Sequence, residues 1–286
     1  MERLTAYTRD GFVFDVLDRG PLDGPVVLLL HGFPERASSW SAVMAILDDA
    51  GMRTIAPDQR GYSPNARPKR RRDYRVETLV DDVVALIDVI GMPVHLVGHD
   101  WGSNIAWVTA AKRPDLVNSL TTLSVPHPGG YLRALLTREQ RRMSWYFAFF
   151  QLPWYPQRWA VGKGLAWFER SGLRPQDMKR LHDDVIGYGA MPYAINWYRG
   201  LPLSSPAMYR RRVTVPTSMV WSDADTFTGR DAVERAQRHV DAHYTLTVLP
   251  DVSHWIPTQA PNAAAAAILT NAELAVTQGF GTDTSA

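Results

Sequence analysis

The chain contains no cysteine, which excludes a disulfide framework, a thiol nucleophile and a thiolate metal site. It also has no apolar run approaching the roughly 18 residues that a membrane span requires. Met1-Glu2-Arg3-Leu4-Thr5 is followed by no apolar leader segment, so a cytoplasmic location is the expectation. Net charge is scarce. The formal balance is +2, too little to steer the molecule toward nucleic acid. The one dense basic run, Lys69-Arg70-Arg71-Arg72, is expected to be a solvated surface loop. His182, His239 and His243 lack a His, Asp and Glu set at ligand spacing on one face. Neither a metal nor an organic cofactor is therefore implied, and there is no internal repeat. What remains is 286 residues, 45% hydrophobic and 21% charged, enough for a sizeable core and an added lid.

Short β-rich runs alternate with helical patterns, which predicts an α/β fold with a mainly parallel sheet covered on both faces. Thr5–Thr8 and Phe12–Val16, joined at Asp10-Gly11, predict an antiparallel hairpin. Six further strands are expected at Val26–Leu30, Thr54–Ala56, Val94–Val97, Leu120–Ser124, Ser218–Trp221 and Tyr244–Leu249. Leu79, Val83, Leu86, Ile87 and Ile90 recur at helical spacing. Asp81, Asp82 and Asp88 fall on other faces of that segment and need no function. Asn262 to about Gln278 predicts a closing helix, and Gly279–Ala286 a frayed polar tail. Between about Pro128 and Arg212 strand signals vanish and aromatic, helix-compatible sequence takes over. The expected organisation is a core of residues 1–127 and 213–286 with a helical cap, 128–212, inserted between two strands. Such an insertion lands over the carboxyl ends of the strands, where ligands bind in open α/β sheets.

Gly98-His99-Asp100-Trp101-Gly102 follows Val94-His95-Leu96-Val97 and puts a carboxylate where a strand turns into a helix. Small residues flanking such an apex let strand and helix close up and expose the apical side chain. A serine attacking a tetrahedral carbon would leave an ether that water does not readily cleave. An attacking carboxylate leaves an ester, which a second step hydrolyses. Asp100 therefore predicts substitution at an sp3 carbon.

Its partners are sought in the chain order nucleophile, acid, histidine. Asp223 and Asp225 both end a strand in Val220-Trp221-Ser222-Asp223-Ala224-Asp225, and His254 follows the last strand. Asp225 is preferred because it lies further out from its strand, with Asp223 left as the competing acid. His31-Gly32-Phe33-Pro34-Glu35 follows the strand Val26–Leu30 and is positioned to supply an oxyanion donor. That donor would be the Phe33 N–H, beside the Trp101 N–H. His31, Pro34, Trp145, Phe149, Phe150 and Trp255 are expected around the substrate pocket. His31 and His99 are read as packing or supporting residues, and His95 and His127 as structural.

Together these motifs resemble the α/β-hydrolase superfamily and, within it, the epoxide hydrolases, over nearly the whole chain. His31–Glu35 is similar to that family's oxyanion loop, Asp58-Gln59-Arg60-Gly61-Tyr62-Ser63 to the turn that follows it, and Gly98–Gly102 to its nucleophile elbow. Ser144–Gln151 and Asn196-Trp197-Tyr198-Arg199 resemble the two cap segments that each carry a ring-opening tyrosine. The resemblance implies that role for Tyr146 and Tyr198. It further implies a small hydrophobic epoxide and water as substrates, a vicinal diol as product, and leaves a homodimer open.

The elbow and oxyanion motifs are shared with haloalkane dehalogenases, which need N–H donors for a departing halide. Trp101 would supply one. The loop position is Phe33, which has no side-chain donor, leaving Trp145, Trp154, Trp159 and Trp197 for the second. A fluoroacetate-type dehalogenase fits less well, because Trp101 stands where that group has an arginine. A non-catalytic ligand receptor on the same fold is the remaining alternative.

Overall fold

The computed structural model describes residues 2–280. Eight strands form one sheet in the order β1-β2-β4-β3-β5-β6-β7-β8. They are β1 (Ala6–Arg9), β2 (Phe12–Arg19), β3 (Val26–Leu30), β4 (Arg53–Pro57), β5 (Val94–His99), β6 (Val117–Leu123), β7 (Thr217–Ser222) and β8 (Tyr244–Leu249). The β1–β2 and β2–β4 pairings are antiparallel and the others parallel. Every residue of β3, β4, β5 and β7 is buried. That is why Val26-Val27-Leu28-Leu29-Leu30 reads as an unbroken apolar run, since helices cover both faces of a parallel strand. At the sheet edge, β8 is mostly exposed and carries threonines instead.

Helix α1 (Ser41–Asp49), α2 (Val76–Ile90) and α3 (Trp101–Lys112) connect the parallel strands. α2 buries the expected stripe and stops at Gly91, whose φ of 80° is a left-handed cap. One expectation for α2 is corrected: Asp82 is not an idle acid. It is buried, and both its oxygens bond the Arg60 guanidinium at 2.7 Å, with Arg9 at 2.6 Å. The pairing joins α2 to β1 and to the turn after β4, which a helical periodicity does not reveal. Lys69–Arg72 is exposed as expected. The closing helix spans Pro261–Thr277. Of the predicted frayed tail, residues 281–286 lie outside the described residues.

Between β6 and β7 the chain forms helical turns, beginning with α4 (Pro128–Ala134), α5 (Arg138–Met143) and α6 (Trp145–Phe149), and one isolated bridge from Val213 to Val240. Among the described residues, no helix is long and apolar enough to cross a membrane. Among the described residues, no group of three or more His, Cys, Asp or Glu is placed to hold a metal either.

Candidate active site

β5 ends at His99 and α3 begins at Trp101, so Asp100 alone makes the turn. Its φ of 52° and ψ of −118° lie where non-glycine residues are strained, at a cost of about 1–3 kcal/mol. Interlocked neighbours hold that strain. A Cβ on Gly98 would come within 2.3 Å of the Gly102 carbonyl oxygen, and one on Gly102 within 2.0 Å of the Leu30 oxygen. Gly32 approaches from the other side, where an added Cβ would meet the Asp100 Cβ at 2.4 Å. That closeness lets the Phe33 N–H donate to Asp100 Oδ1 at 2.7 Å. Trp101 opens α3, so its N–H has no intrahelical acceptor and sits at the positive end of the helix beside the same carboxylate.

The other Asp100 oxygen, Oδ2, lies 3.4 Å from His254 Nε2, while His254 Nδ1–H donates to Asp225 Oδ2 at 2.8 Å. Asp225 Oδ1 accepts from the Phe227 and Thr228 N–H groups at 2.7 and 3.0 Å, so this acid is fixed at both oxygens. Asp223 is exposed and accepts from the Asp251 N–H instead. Burial by itself pushes the His254 imidazole down, but Asp225 and Asp100 outweigh it and raise it to about 10. In the free protein the ring is therefore an imidazolium between two carboxylates.

His31 and His99 brace this centre. His31 Nε2 accepts from the Gln59 N–H at 3.1 Å, and its Nδ1 lies 3.0 Å from the Gly32 oxygen. Burial holds the ring neutral, lowering it to about 4. His99 places Nε2 2.9 Å from the His254 carbonyl oxygen and Nδ1 3.1 Å from Glu35 Oε2. Burial raises the Glu35 carboxyl, yet His99 and Arg180 hold it below its ordinary value. Ser124 Oγ also donates to the His254 oxygen at 2.6 Å. The backbone of the histidine is thus anchored from β5 and from the end of β6.

Tyr146 and Tyr198 stand over Asp100 with ring centroids 5.6 Å apart. Both line two adjoining cavities that share Asp100: an outer, mainly apolar one and a smaller inner one against His254. Burial, with Asp100 adding to it, raises both phenols well above their ordinary value, which keeps them protonated donors. Tyr198 packs edge-on against Trp101 and Phe33 at 5.0 and 5.1 Å.

The pocket lining differs from the sequence expectation. Trp255 lines the inner cavity. His31, Pro34, Trp145, Phe149 and Phe150 line neither cavity. His31 is committed to Gln59, and Pro34 faces a separate crevice beside Arg180. Phe150 packs behind Tyr198 at 4.8 Å. Trp145 is 44% exposed and joins Phe149 on the outside of the cap. The walls come instead from Tyr131, Phe147, Trp167, Phe168 and Phe227 among others. Tyr131, Gln140 and Ser144 form a hydrogen-bonded cluster that the sequence reading missed. The helices carrying it have only six or seven residues, too few to mark an inward face.

An eight-stranded sheet of this order, with helical turns between β6 and β7 and a carboxylate at the strand–helix turn after β5, defines a hydrolase of the α/β class. The alpha/beta hydrolase fold family matches residues 25–261. AB hydrolase superfamily protein YfhM of Bacillus subtilis is 34% identical, aligned over 88% of this chain and 91% of the relative. Epoxide hydrolase 4 of Homo sapiens is 30% identical, over 88% of this chain and 73% of that one. Among solved structures, one described under novel epoxide hydrolases from metagenomes of hot environments superposes with a TM-score of 0.80. It is 29% identical and covers 94% of this chain and 98% of that one. Epoxide Hydrolase A from Mycobacterium thermoresistibile superposes with a TM-score of 0.79 at 25% identity, over 93% and 96%. The chain belongs to the α/β-hydrolase family, in its epoxide hydrolase branch.

Proposed function

We propose that this protein hydrolyses small hydrophobic epoxides to vicinal diols through an ester on Asp100. The observation that carries the reading is the opposition of groups across one cavity. A carboxylate lies 3.4 Å from a histidine on one side, and two buried phenols stand on the other. Opening an epoxide expels an alkoxide, which a low-dielectric site does not tolerate unprotonated. Phenols opposite the attacking carboxylate suit backside attack. Asp100 Oδ2 forms a bond to an oxirane carbon as the carbon–oxygen bond breaks, and a phenol proton passes to the released oxygen. The carboxylate charge moves to the phenolate, which the His254 proton neutralises.

Ester formation removes the Asp100 charge, so the His254 pKa falls and the ring becomes a base. Water loses a proton to His254 Nε2 and adds to the ester carbonyl, whose oxyanion is met by the Phe33 and Trp101 N–H groups. Collapse releases the diol and returns the carboxylate. A base placed in this way contributes about 10² to 10⁴ in rate.

The haloalkane reading needs a second indole donor in the cavity. The Trp197 N–H is bonded to the Arg60 oxygen at 2.7 Å. Trp145, Trp154 and Trp159 line neither cavity, and the Trp255 N–H in the inner cavity is bonded to Ser171 Oγ at 3.2 Å. Trp167 also lines the inner cavity, so the choice between the two readings is made by assay. The test offers an aryl epoxide and a bromoalkane side by side, in ¹⁸O water, with diol and bromide quantified. Diol formation with isotope entering Asp100 is expected. Bromide release without diol would install the dehalogenase, and neither product the receptor.

A further inference from the structure

The helical segment between β6 and β7 turns a band of large apolar side chains to water. Trp154 is 65% exposed, Leu152 and Tyr155 are each 47% exposed, and Trp145 stands with them. The rings form one surface: Trp145 packs on Phe149 at 5.5 Å, Phe149 on Tyr155 at 5.8 Å, and Tyr155 on Trp154 at 6.3 Å. Apolar residues scattered singly over a surface need no explanation, whereas a contiguous patch marks a contact. The charge around this patch has one sign. Between 141 and 170 the exposed charged residues are Arg141, Arg142, Arg158, Lys163 and Arg170, against Glu169 alone. Among the described residues none of these five cations is in an ion pair. Arg142 and Arg170 flank Trp145 and Trp167 in a surface crevice, and Arg158 lies one turn along from Tyr155 on the helix Tyr155–Ala160. On the other flank, Arg199 donates to the Leu152 oxygen and, at 3.0 Å, to Gln157 Oε1. Its helix, Asn196–Gly200, packs on the turn Arg71–Tyr74. The exposed run Lys69-Arg70-Arg71-Arg72, which the proposed chemistry does not use, therefore borders the patch across that helix.

We infer that this face docks on an anionic lipid bilayer, with the exposed rings entering the headgroup layer while the arginines and lysines meet lipid phosphates. Trp and Tyr favour that layer because each joins an apolar ring to a single polar N–H or O–H. Clustered cations are drawn to an anionic surface. A second copy of this chain is the poorer occupant: in a two-fold contact the patch meets itself, so the unpaired cations of one copy face those of the other. The contact is peripheral and does not depend on the epoxide reading. Trp167 and Phe227 line both the crevice beside Trp145 and the inner cavity that holds Asp100. A molecule dissolved in the lipid would thus be held against the wall that the two spaces share.

The test sediments the full chain with vesicles of phosphatidylcholine alone and with vesicles of phosphatidylcholine and phosphatidylglycerol in equal parts, reading tryptophan fluorescence in parallel. Binding to the mixed vesicles is expected, with blue-shifted emission and a steep loss as salt is raised. Trp154→Ser should weaken that binding about tenfold. Arg142→Gln combined with Arg158→Gln should weaken it roughly thirtyfold, at about fivefold per cation. All three side chains are exposed, so melting temperatures should stay within about two degrees of the unaltered protein. Absence of binding to the mixed vesicles overturns the proposal, and so does equal binding to phosphatidylcholine alone. Full affinity in a folded variant overturns it as well, and if one variant fails to fold the other decides. A dimer in sedimentation velocity that Trp154→Ser dissociates would overturn it in favour of a second copy. None of these outcomes depends on diol formation.

Discussion

Asp100→Asn isolates the electrostatic switch on which the two-step scheme turns. The substitution keeps the shape of the elbow but removes the charge, as ester formation does. In the free protein His254 is raised to about 10, with Asp225 and Asp100 outweighing its burial. Asp100 Oδ2 is 3.4 Å from the ring. At an effective dielectric near 20, that separation is worth roughly 5 kcal/mol, or about three and a half pH units. The imidazole of Asp100→Asn is therefore expected to titrate about three and a half units lower than in the unaltered protein, still supported by Asp225. ¹⁵N-detected titration of the histidine rings reads this directly. The same shift appears in stability. A pKa raised in the folded state stabilises fully below the ordinary value of 6.5 and is lost as pH rises through about 10. The melting temperature of the unaltered protein should accordingly fall between those values, and less steeply in Asp100→Asn. An imidazole that titrates at the same pH in both proteins would refute the reasoning.

His254→Gln should allow attack but block hydrolysis, leaving a persistent adduct on the peptide that carries Asp100; a competent substrate that leaves no adduct would argue against an ester. Asp225→Asn, which takes the charge from the 2.8 Å partner of His254, should cost at least a hundredfold more turnover than Asp223→Asn. Steady-state rates of the two variants settle that comparison. Phenylalanine at both Tyr146 and Tyr198 should abolish diol formation while leaving the melting temperature within a few degrees, because the rings and their packing remain.

The central sheet was legible because its information is local. A continuous apolar run marks β3, an apolar run broken by His95 marks β5, and two glycines around Asp100 state how closely strand and helix approach. The acid was legible only as a pair. Asp223 and Asp225 both follow β7, and the choice rests on where the loop turns the side chains, which Asp225 shows through its bonds to the Phe227 and Thr228 N–H groups. The cavity walls were not legible. Trp145 and Phe149 have the composition of a lining, but α6 has five residues and its exposed side is decided by contacts with Trp159 and Trp167. Tyr131 and Gln140 lie outside the motifs that carry the family resemblance, and the Phe227 oxygen that Gln140 bonds is 87 residues away.

That long-range contact also ties the helical segment between β6 and β7 to the loop after β7. Asp225, the acid proposed to support His254, sits on the loop after β7, while Tyr146 and Tyr198 sit on turns after β6, so their separation depends on whatever joins these segments. Gln140 does so from α5, bonding the Phe227 oxygen and the Gly229 N–H on either side of Thr228. Thr228 in turn donates to Asp225. Gln140→Leu keeps most of the buried volume but orphans both backbone groups, each costing about 1–3 kcal/mol. A loss of several degrees in melting temperature is expected, together with slower ester hydrolysis, because Asp225 loses a fixed support. Unfolding scans with single-turnover kinetics separate the two effects. Lowered stability with an unchanged hydrolysis rate would show that the tether holds the cap without orienting the acid.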